Sequence, residues 1–266
     1  MNRQSPSLHR YIDSLQQSGR YTFDREEALK ELKISPVALK LSALRLFRQG
    51  RLVSPKRGFF VIVPLEYKSA GAPPPAWFID QLMHFEGELY YVGLLSAAAL
   101  HGAAHQQPQE FQVLTTRQMK PATVGRSRIR FLLKKQIKRT ETVLYKTETG
   151  TMKISTPEAT ALDLVRYPRH AGGLNNIATV LSELAERIDP KQLVEAARRE
   201  DDLPSAQRLG FLLEHVGHSE KADPLAKWIK SSRTRTILLR AGGPLDSGSK
   251  SARWKVIVNE DIEVPE

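Results

Sequence analysis

Between Leu32 and Leu65 the sequence carries Lys33, Lys40, Arg45, Arg48, Arg51, Lys56 and Arg57 and no Asp or Glu at all. Cations without a local counter-charge are the side chains that approach a phosphate backbone, where each contact releases condensed counterions. A second acid-free stretch lies between Glu110 and Glu141 and holds Arg126, Arg128, Arg130, Lys134, Lys135, Lys138 and Arg139. In Arg126-Ser127-Arg128-Ile129-Arg130 charge alternates with non-charge, so an extended strand puts three arginines on one face and turns Ile129 and Phe131 inward. Such a strip can meet nucleic acid or an acidic partner. A solvated edge strand guarded against aggregation has the same composition.

Groups that could do covalent chemistry are scarce. The sequence has no cysteine, which excludes disulfides, Cys-based zinc sites and thiol nucleophiles. His101 and His105 share metal-site spacing but lack the adjacent glutamate of the helical zinc motif and enclose a glycine. His215 and His218 beside Glu214 make no better site. No Gly-rich loop ends in Gly-Lys-Ser or Gly-Lys-Thr, and no Gly-x-Ser-x-Gly turn occurs. Ser155-Thr156-Pro157-Glu158 reads as a helix cap, and Asp201-Asp202 lacks the spacing of a two-metal acid pair. The expectation is a protein with no catalytic residues, no metal and no cofactor.

The elements that position the first basic group follow from local signals. Ser7 to Gln17 forms a helix with Leu8, Tyr11, Ile12 and Leu15 on one face. Asp24-Arg25-Glu26-Glu27 has capping-box spacing ahead of a short second helix with Ala28, Leu29 and Leu32 inward. Ser35 then caps a third helix whose first turn holds Pro36 and whose end is marked by Gly50. In that helix Val37, Leu41, Leu44 and Phe47 fit one core-facing stripe. Ser35, Leu39, Ser42, Leu46 and Gln49 then face outward with Arg45 beside them, able to enter a major groove or to pack on a second domain. Leu52 to Ser54, the turn Pro55-Lys56-Arg57-Gly58 and Phe59 to Val63 make a β-hairpin with a basic tip. Helix, turn, capped helix and hairpin together predict a winged helix-turn-helix.

Length and charge agree with a two-domain regulator. The 266 residues carry 40 Lys and Arg against 29 Asp and Glu, a net charge of +11. That excess favours a polyanionic partner. The longest apolar run, Tyr90 to Leu100, is too short to span a bilayer and reads as a buried helix. The N-terminus from Met1 to Arg10 lacks the apolar core of a secretory signal, so a cytoplasmic, membrane-free protein is expected.

Pro73-Pro74-Pro75 suggests a linker over 69–76, between a winged-helix domain of residues 1–68 and a larger mixed α/β domain of residues 77–266, an α+β chain as a whole. In the second part Trp77 to Phe85 and Tyr91 to Leu100 read as helices. Phe111 to Thr115, Ile129 to Leu133 and Val143 to Ile154 read as strands, the last turning at Glu148-Thr149-Gly150. Leu174, Ile177, Val180, Leu181, Leu184 and Ile188 keep the spacing of one buried helical face. Asp189-Pro190, Leu203-Pro204 and Asp223-Pro224 mark helix starts, and Thr236 to Leu239 with Trp254 to Val258 suggest a closing hairpin.

Four stretches in order, SPVALKLSALRLFRQGRLVSPKRGFFVIVPLEY from Ser35, YYVGLLSAAALHG from Tyr90, STPEATALDLV from Ser155 with Gly172-Gly173-Leu174 after it, and RWKVIVNEDI from Arg253, resemble the AbiEi-type antitoxins of abortive-infection (type IV) toxin–antitoxin systems. The resemblance implies an N-terminal winged helix that represses its own operon by binding operator DNA. It also implies a C-terminal domain that counteracts a nucleotidyltransferase toxin encoded alongside, with direct binding to that toxin left open. DNA-contacting positions carried over by the resemblance are Ser35, Lys40, Ser42, Arg45, Lys56 and Arg57. Arg126, Arg128, Arg130, Lys134 and Lys135 form a second basic surface in the sequence reading. Two other readings stay open at this point: a winged-helix regulator with a ligand-binding or assembly domain, and a nucleic-acid-processing enzyme.

Overall fold

The structure, a computed structural model, describes residues 7–103, 108–243 and 248–263. The chain opens with α1 (Leu8–Gln17), β1 (Thr22–Asp24), α2 (Arg25–Leu32), α3 (Pro36–Arg48), β2 (Leu52–Lys56) and β3 (Phe59–Ile62). It continues through α4 (Ile79–Phe85), β4 (Tyr90–Val92), α5 (Leu94–Leu100), β5 (Phe111–Thr115), β6 (Ala122–Val124), β7 (Ser127–Leu133), β8 (Thr142–Thr147) and β9 (Gly150–Ser155). Five helices follow, α6 (Pro157–Arg166), α7 (Gly173–Leu184), α8 (Pro190–Glu200), α9 (Leu203–His215) and α10 (Ser219–Ser231). The last elements are β10 (Ile237–Leu238), β11 (Ser249–Ser251) and β12 (Val256–Val258). The fold is α+β, as the sequence implied.

Two compact units interleave along the sequence. The first gathers the described residues of Met1–Tyr90, Gln109–Lys135 and Leu144–Lys153, and the second those of Tyr91–Pro108, Gln136–Val143 and Ile154–Glu266.

In the first unit, α1, α2 and α3 pack with a three-stranded sheet in the order β1-β3-β2, the topology of a winged helix. Its core is a single cluster that includes Ile12, Phe23, Leu32, Leu39, Leu46 and Ile62. Asp24 caps α2 by accepting from Glu27 N–H at 2.8 Å. The Glu27 carboxylate does not complete the capping box, because Arg20 donates to it at 2.7 Å. In the same unit β7 lies between β6, which it meets antiparallel, and β5, which it meets parallel with Val113 opposite Phe131.

The stretch read as a linker is packed rather than free. Ala72, Pro73 and Pro75 are buried, and Arg126 N–H donates to the Ala70 carbonyl at 2.9 Å. Gly125, at φ +58°, sits so close that an added Cβ would lie 2.4 Å from the Ala70 oxygen. Trp77 stacks edge-on against Tyr21 and Tyr67, with ring centroids 5.0 and 5.1 Å away. Proline's fixed φ lets this strap be held with little further loss of chain entropy, so the triple proline is an anchored strap and not a tether.

In the second unit α6 is buried along nearly its whole length. The α7 stripe read from the sequence is the buried face, including Leu174, Ile177, Leu181 and Leu184. Three local expectations are corrected. Tyr91 and Val92 belong to a strand, because Gly93 breaks the run before α5 begins. Pro224 lies inside α10, where it forfeits one backbone hydrogen bond while Ala222, Leu225 and Ile229 hold the helix to its neighbours. The closing element is not a two-strand hairpin: β10 runs parallel to β12, and β11 supplies the antiparallel partner. Part of the intervening turn, residues 244–247, lies outside the described residues.

Trp254 closes this core. It is fully buried, donates from Nε1 to Glu214 Oε2 at 2.7 Å, and accepts at its carbonyl from Gln207 Nε2 at 2.9 Å. Gly210 faces the indole so closely that a Cβ would fall 2.0 Å from the ring. Gly210→Ala is therefore expected to destabilise the protein by about 1–3 kcal/mol through overpacking. Urea unfolding would show this as a lowered midpoint with an unchanged slope.

Candidate nucleic-acid interface

The third helix is set up as its residues dictate. Ser35 Oγ accepts from Ala38 N–H at 3.2 Å, Pro36 opens the first turn, and the chain leaves through Gly50 at φ +66°. Phe47 packs on the core and Arg45 is exposed as expected, but the aliphatic stripes are exchanged. Leu39, Ala43 and Leu46 are buried, while Val37, Leu41 and Leu44 are 67%, 53% and 43% exposed. The reason lies in the neighbours of each stripe. With 3.6 residues per turn, Lys40, Arg45 and Arg48 flank Leu41 and Leu44, so sending that stripe inward would drag three cations toward the core. The stripe through Leu39, Ala43 and Leu46 carries no charge beside it, and its single small residue lets the helix approach the core closely.

The outward face of α3 thus combines Val37, Leu41 and Leu44 with exposed Lys40, Arg45 and Arg48. Ser42 sits at its half-buried margin. Arg51 turns away, donating to Asp13 at 2.8 Å and Gln16 at 3.2 Å, and so holds α1 instead of facing solvent.

The wing turns at Arg57-Gly58, with Gly58 at φ +89°. Arg57 is exposed. Lys56 is not free: its Nζ lies 3.2 Å from Glu86 Oε2, and Arg117 Nη2 donates to the same oxygen at 2.9 Å. The Glu86 side chain is only 7% exposed. Phe85 packs on Phe59 with centroids 5.4 Å apart, which fixes the wing against the helix that leads into Glu86.

The second basic surface is compensated in part. Arg128 lies 2.9 Å from Glu110 Oε1, and Arg130 forms a two-pronged pair with the same carboxylate. Arg126 sits in the β6–β7 turn, exposed, and Lys135 is exposed. Lys134 is 3% exposed and so is withdrawn from the surface; its backbone N–H donates to the Thr115 carbonyl just past the end of β7. The acid bounding the stretch in sequence is the one that pairs with two of its arginines in space.

Three histidines singled out for metal spacing each meet a backbone carbonyl: His101 meets Ser155 O at 2.7 Å, His215 meets Ile262 O at 3.0 Å and His218 meets Ser182 O at 3.0 Å. His105 lies outside the described residues. Among the described residues no three His, Cys, Asp or Glu side chains gather where a metal could be held.

Sequence reasoning missed a buried polar network in the second unit. Asp163 and Glu200 are 1% and 4% exposed. Tyr91 donates to Asp163 Oδ2 at 2.6 Å, while Thr140 and Arg166 donate to the two oxygens of Glu200 at 2.6 and 2.9 Å. Burial, followed by the Asp163 carboxylate, pushes the Tyr91 phenol well above its ordinary range, so it stays a neutral donor. A lone acid inside the apolar run Ala161-Leu162-Asp163-Leu164-Val165 was the available signal.

Fold and site together define a winged helix joined to a larger α/β part. Residues 91–215 match the family model described as the AbiEi antitoxin C-terminal domain, which bears out the resemblance read from the sequence. The fold is similar to the crystal structure of RV2827C protein from Mycobacterium tuberculosis, with a TM-score of 0.68 at 13% identity, covering 96% of this chain and 92% of that one. At that identity the likeness shows fold alone. No curated protein matches the sequence.

Two outcomes test these assignments. Leu41→Ser or Leu44→Ser should cost less than about 1 kcal/mol, whereas Leu39→Ala should cost about 2–5 kcal/mol; thermal unfolding separates them, and equal losses would restore the opposite face assignment. Tyr91→Phe removes a donor from a buried carboxylate and should destabilise by about 1–3 kcal/mol with the native far-UV spectrum retained.

Proposed function

We propose that this protein is the antitoxin and autorepressor of a type IV toxin–antitoxin operon, acting in the cytoplasm without enzymatic activity or cofactor. The observation that supports it best is the union, in one chain, of an AbiEi antitoxin domain match with a winged helix whose α3 presents Lys40, Arg45 and Arg48 to solvent. In this reading α3 enters the major groove of operator DNA. Lys40 and Arg57 meet phosphates, as does the Ser35 hydroxyl at the helix start. Arg45 and Ser42 reach base edges, and Val37, Leu41 and Leu44 meet thymine methyl groups. The C-terminal part counteracts a nucleotidyltransferase toxin encoded by the neighbouring gene, with or without a stable complex. No described helix is long and apolar enough to cross a membrane, which is compatible with this reading.

The Glu86 contact refines the wing's role. Lys56 must leave a buried carboxylate to reach a phosphate, so Arg57 carries more of the wing's affinity than Lys56. Fluorescence anisotropy of the full chain on its own promoter fragment should show a roughly 1,000-fold loss of affinity between 50 and 200 mM salt if about six phosphates are met. Arg57→Ala should weaken promoter and random DNA alike, and more than Lys56→Ala. Arg45→Ala should lower the preference for the promoter, and Glu86→Gln should tighten binding to both. A flat salt response with no promoter preference would remove the repressor reading. Co-expression with the adjacent nucleotidyltransferase should restore growth, and failure to do so would remove the antitoxin reading.

A further inference from the structure

Beside the wing, wholly within the first unit, lies a half-open cleft of about 380 Å³. Its walls come from Pro55 and Lys56 of β2, Leu82 of α4 with Glu86 just past its end, the 117–121 connection with Ala122 of β6, and Phe131 of β7. Two properties constrain what could occupy it.

The first is charge. Lys56, Arg117 and Lys120 line the cleft against one carboxylate, Glu86. That carboxylate already receives Lys56 and Arg117, and Arg117 is also paired with Glu88 at 2.8 Å. Lys120 is exposed and makes no ion pair among the described residues. The cleft therefore has an uncompensated cation at its mouth. The second is shape and polarity. Met119 and Phe131, with the nearly buried Leu82 behind them, give apolar walls that a bare inorganic anion would leave wet. The volume falls in the range of small-molecule sites and is too confined for a duplex backbone.

We propose that this cleft binds a small amphipathic organic anion, its ring or alkyl body against Met119 and Phe131, and its carboxylate, phosphate or sulfonate on Lys120. Pro55 and Lys56 belong to the wing, so an occupant would touch the element that also carries Arg57. The binding itself does not depend on the DNA reading above.

The full-length protein titrated with 1-anilinonaphthalene-8-sulfonate, an apolar ring system bearing one sulfonate, should show one saturable site by fluorescence and by calorimetry. Lys120→Glu should weaken it roughly tenfold or more, the loss of a charge-assisted contact. Ala122→Trp, which fills the cleft from β6, should abolish the site. Both variants must keep the wild-type melting transition, and Lys120→Gln, with an intermediate loss, covers the case in which the charge reversal fails to fold. Many weak sites, or one site unmoved by these substitutions, would overturn the proposal. So would full displacement of the dye by a short DNA duplex together with an equal loss of duplex affinity in Lys120→Glu, which would make the cleft a phosphate contact.

Discussion

The tip of the wing is tied down by one buried carboxylate. The Glu86 side chain, just past the end of α4, is 7% exposed and holds Lys56 from the wing and Arg117 from the β5–β6 connection on a single oxygen. Removing a carboxylate from water is unfavourable unless it is paired and hydrogen-bonded, so the two cations are a requirement of its burial. Both cations are about half exposed, which reduces the net energy of each pair toward that of a surface ion pair. What the contact supplies is geometry: with Phe59 packed on Phe85, it fixes the end of the strand that leads into Arg57. The body of the wing is held separately, by the pairing of β3 with β1 and by Leu52 and Ile62 in the core, so the carboxylate acts on the tip.

Much of the winged helix was legible in the sequence because its signals are local. Ser35 ahead of Pro36, Gly50 after the last turn, and Gly58 at the hairpin tip each act through their own backbone. The faces of α3 were misread because two apolar stripes share helical spacing, and periodicity alone cannot rank them. The cations decide it. Lys40, Arg45 and Arg48 cluster about one stripe, and a side chain that cannot be desolvated without a partner marks the solvent side more firmly than a leucine marks the core. Charge placement was in the sequence, and weighing it against periodicity gives the right face.

Contacts between residues distant in sequence were not legible. Glu110 lies only sixteen residues before Arg126, yet whether it caps the arginine strip or points elsewhere depends on β5 running parallel to β7, which brings Phe111 opposite Ile129. Lys134 likewise reads as surface from its neighbours and is buried by the fold. The triple proline signalled restricted backbone correctly, but restriction fits a tether and a strap equally. Only the closeness of Gly125 to Ala70, and of Trp77 to Tyr21 and Tyr67, makes it a strap. In the second unit the α7 stripe was readable for the same reason as the caps, whereas Asp163 and Glu200 depend on donors 72 and 60 residues away in sequence.

The outward face of α3 has a consequence for how any DNA contact would be built. Three exposed apolar side chains in one stripe are unfavourable in water, and a net charge of +11 helps to keep copies of the chain apart while they are uncovered. On a duplex the cations and the apolar stripe respond to different variables. Phosphate contacts weaken steeply as salt releases their advantage, whereas contact between leucine or valine and a thymine methyl removes apolar area from water and is nearly indifferent to salt. Random DNA lacks thymines in the required register and offers only the first term. With the same phosphates met on every sequence, salt lowers both affinities in parallel and leaves their ratio to the apolar stripe, so a face of this composition keeps its discrimination as the salt concentration rises while its grip on random DNA falls below what is needed to hold it.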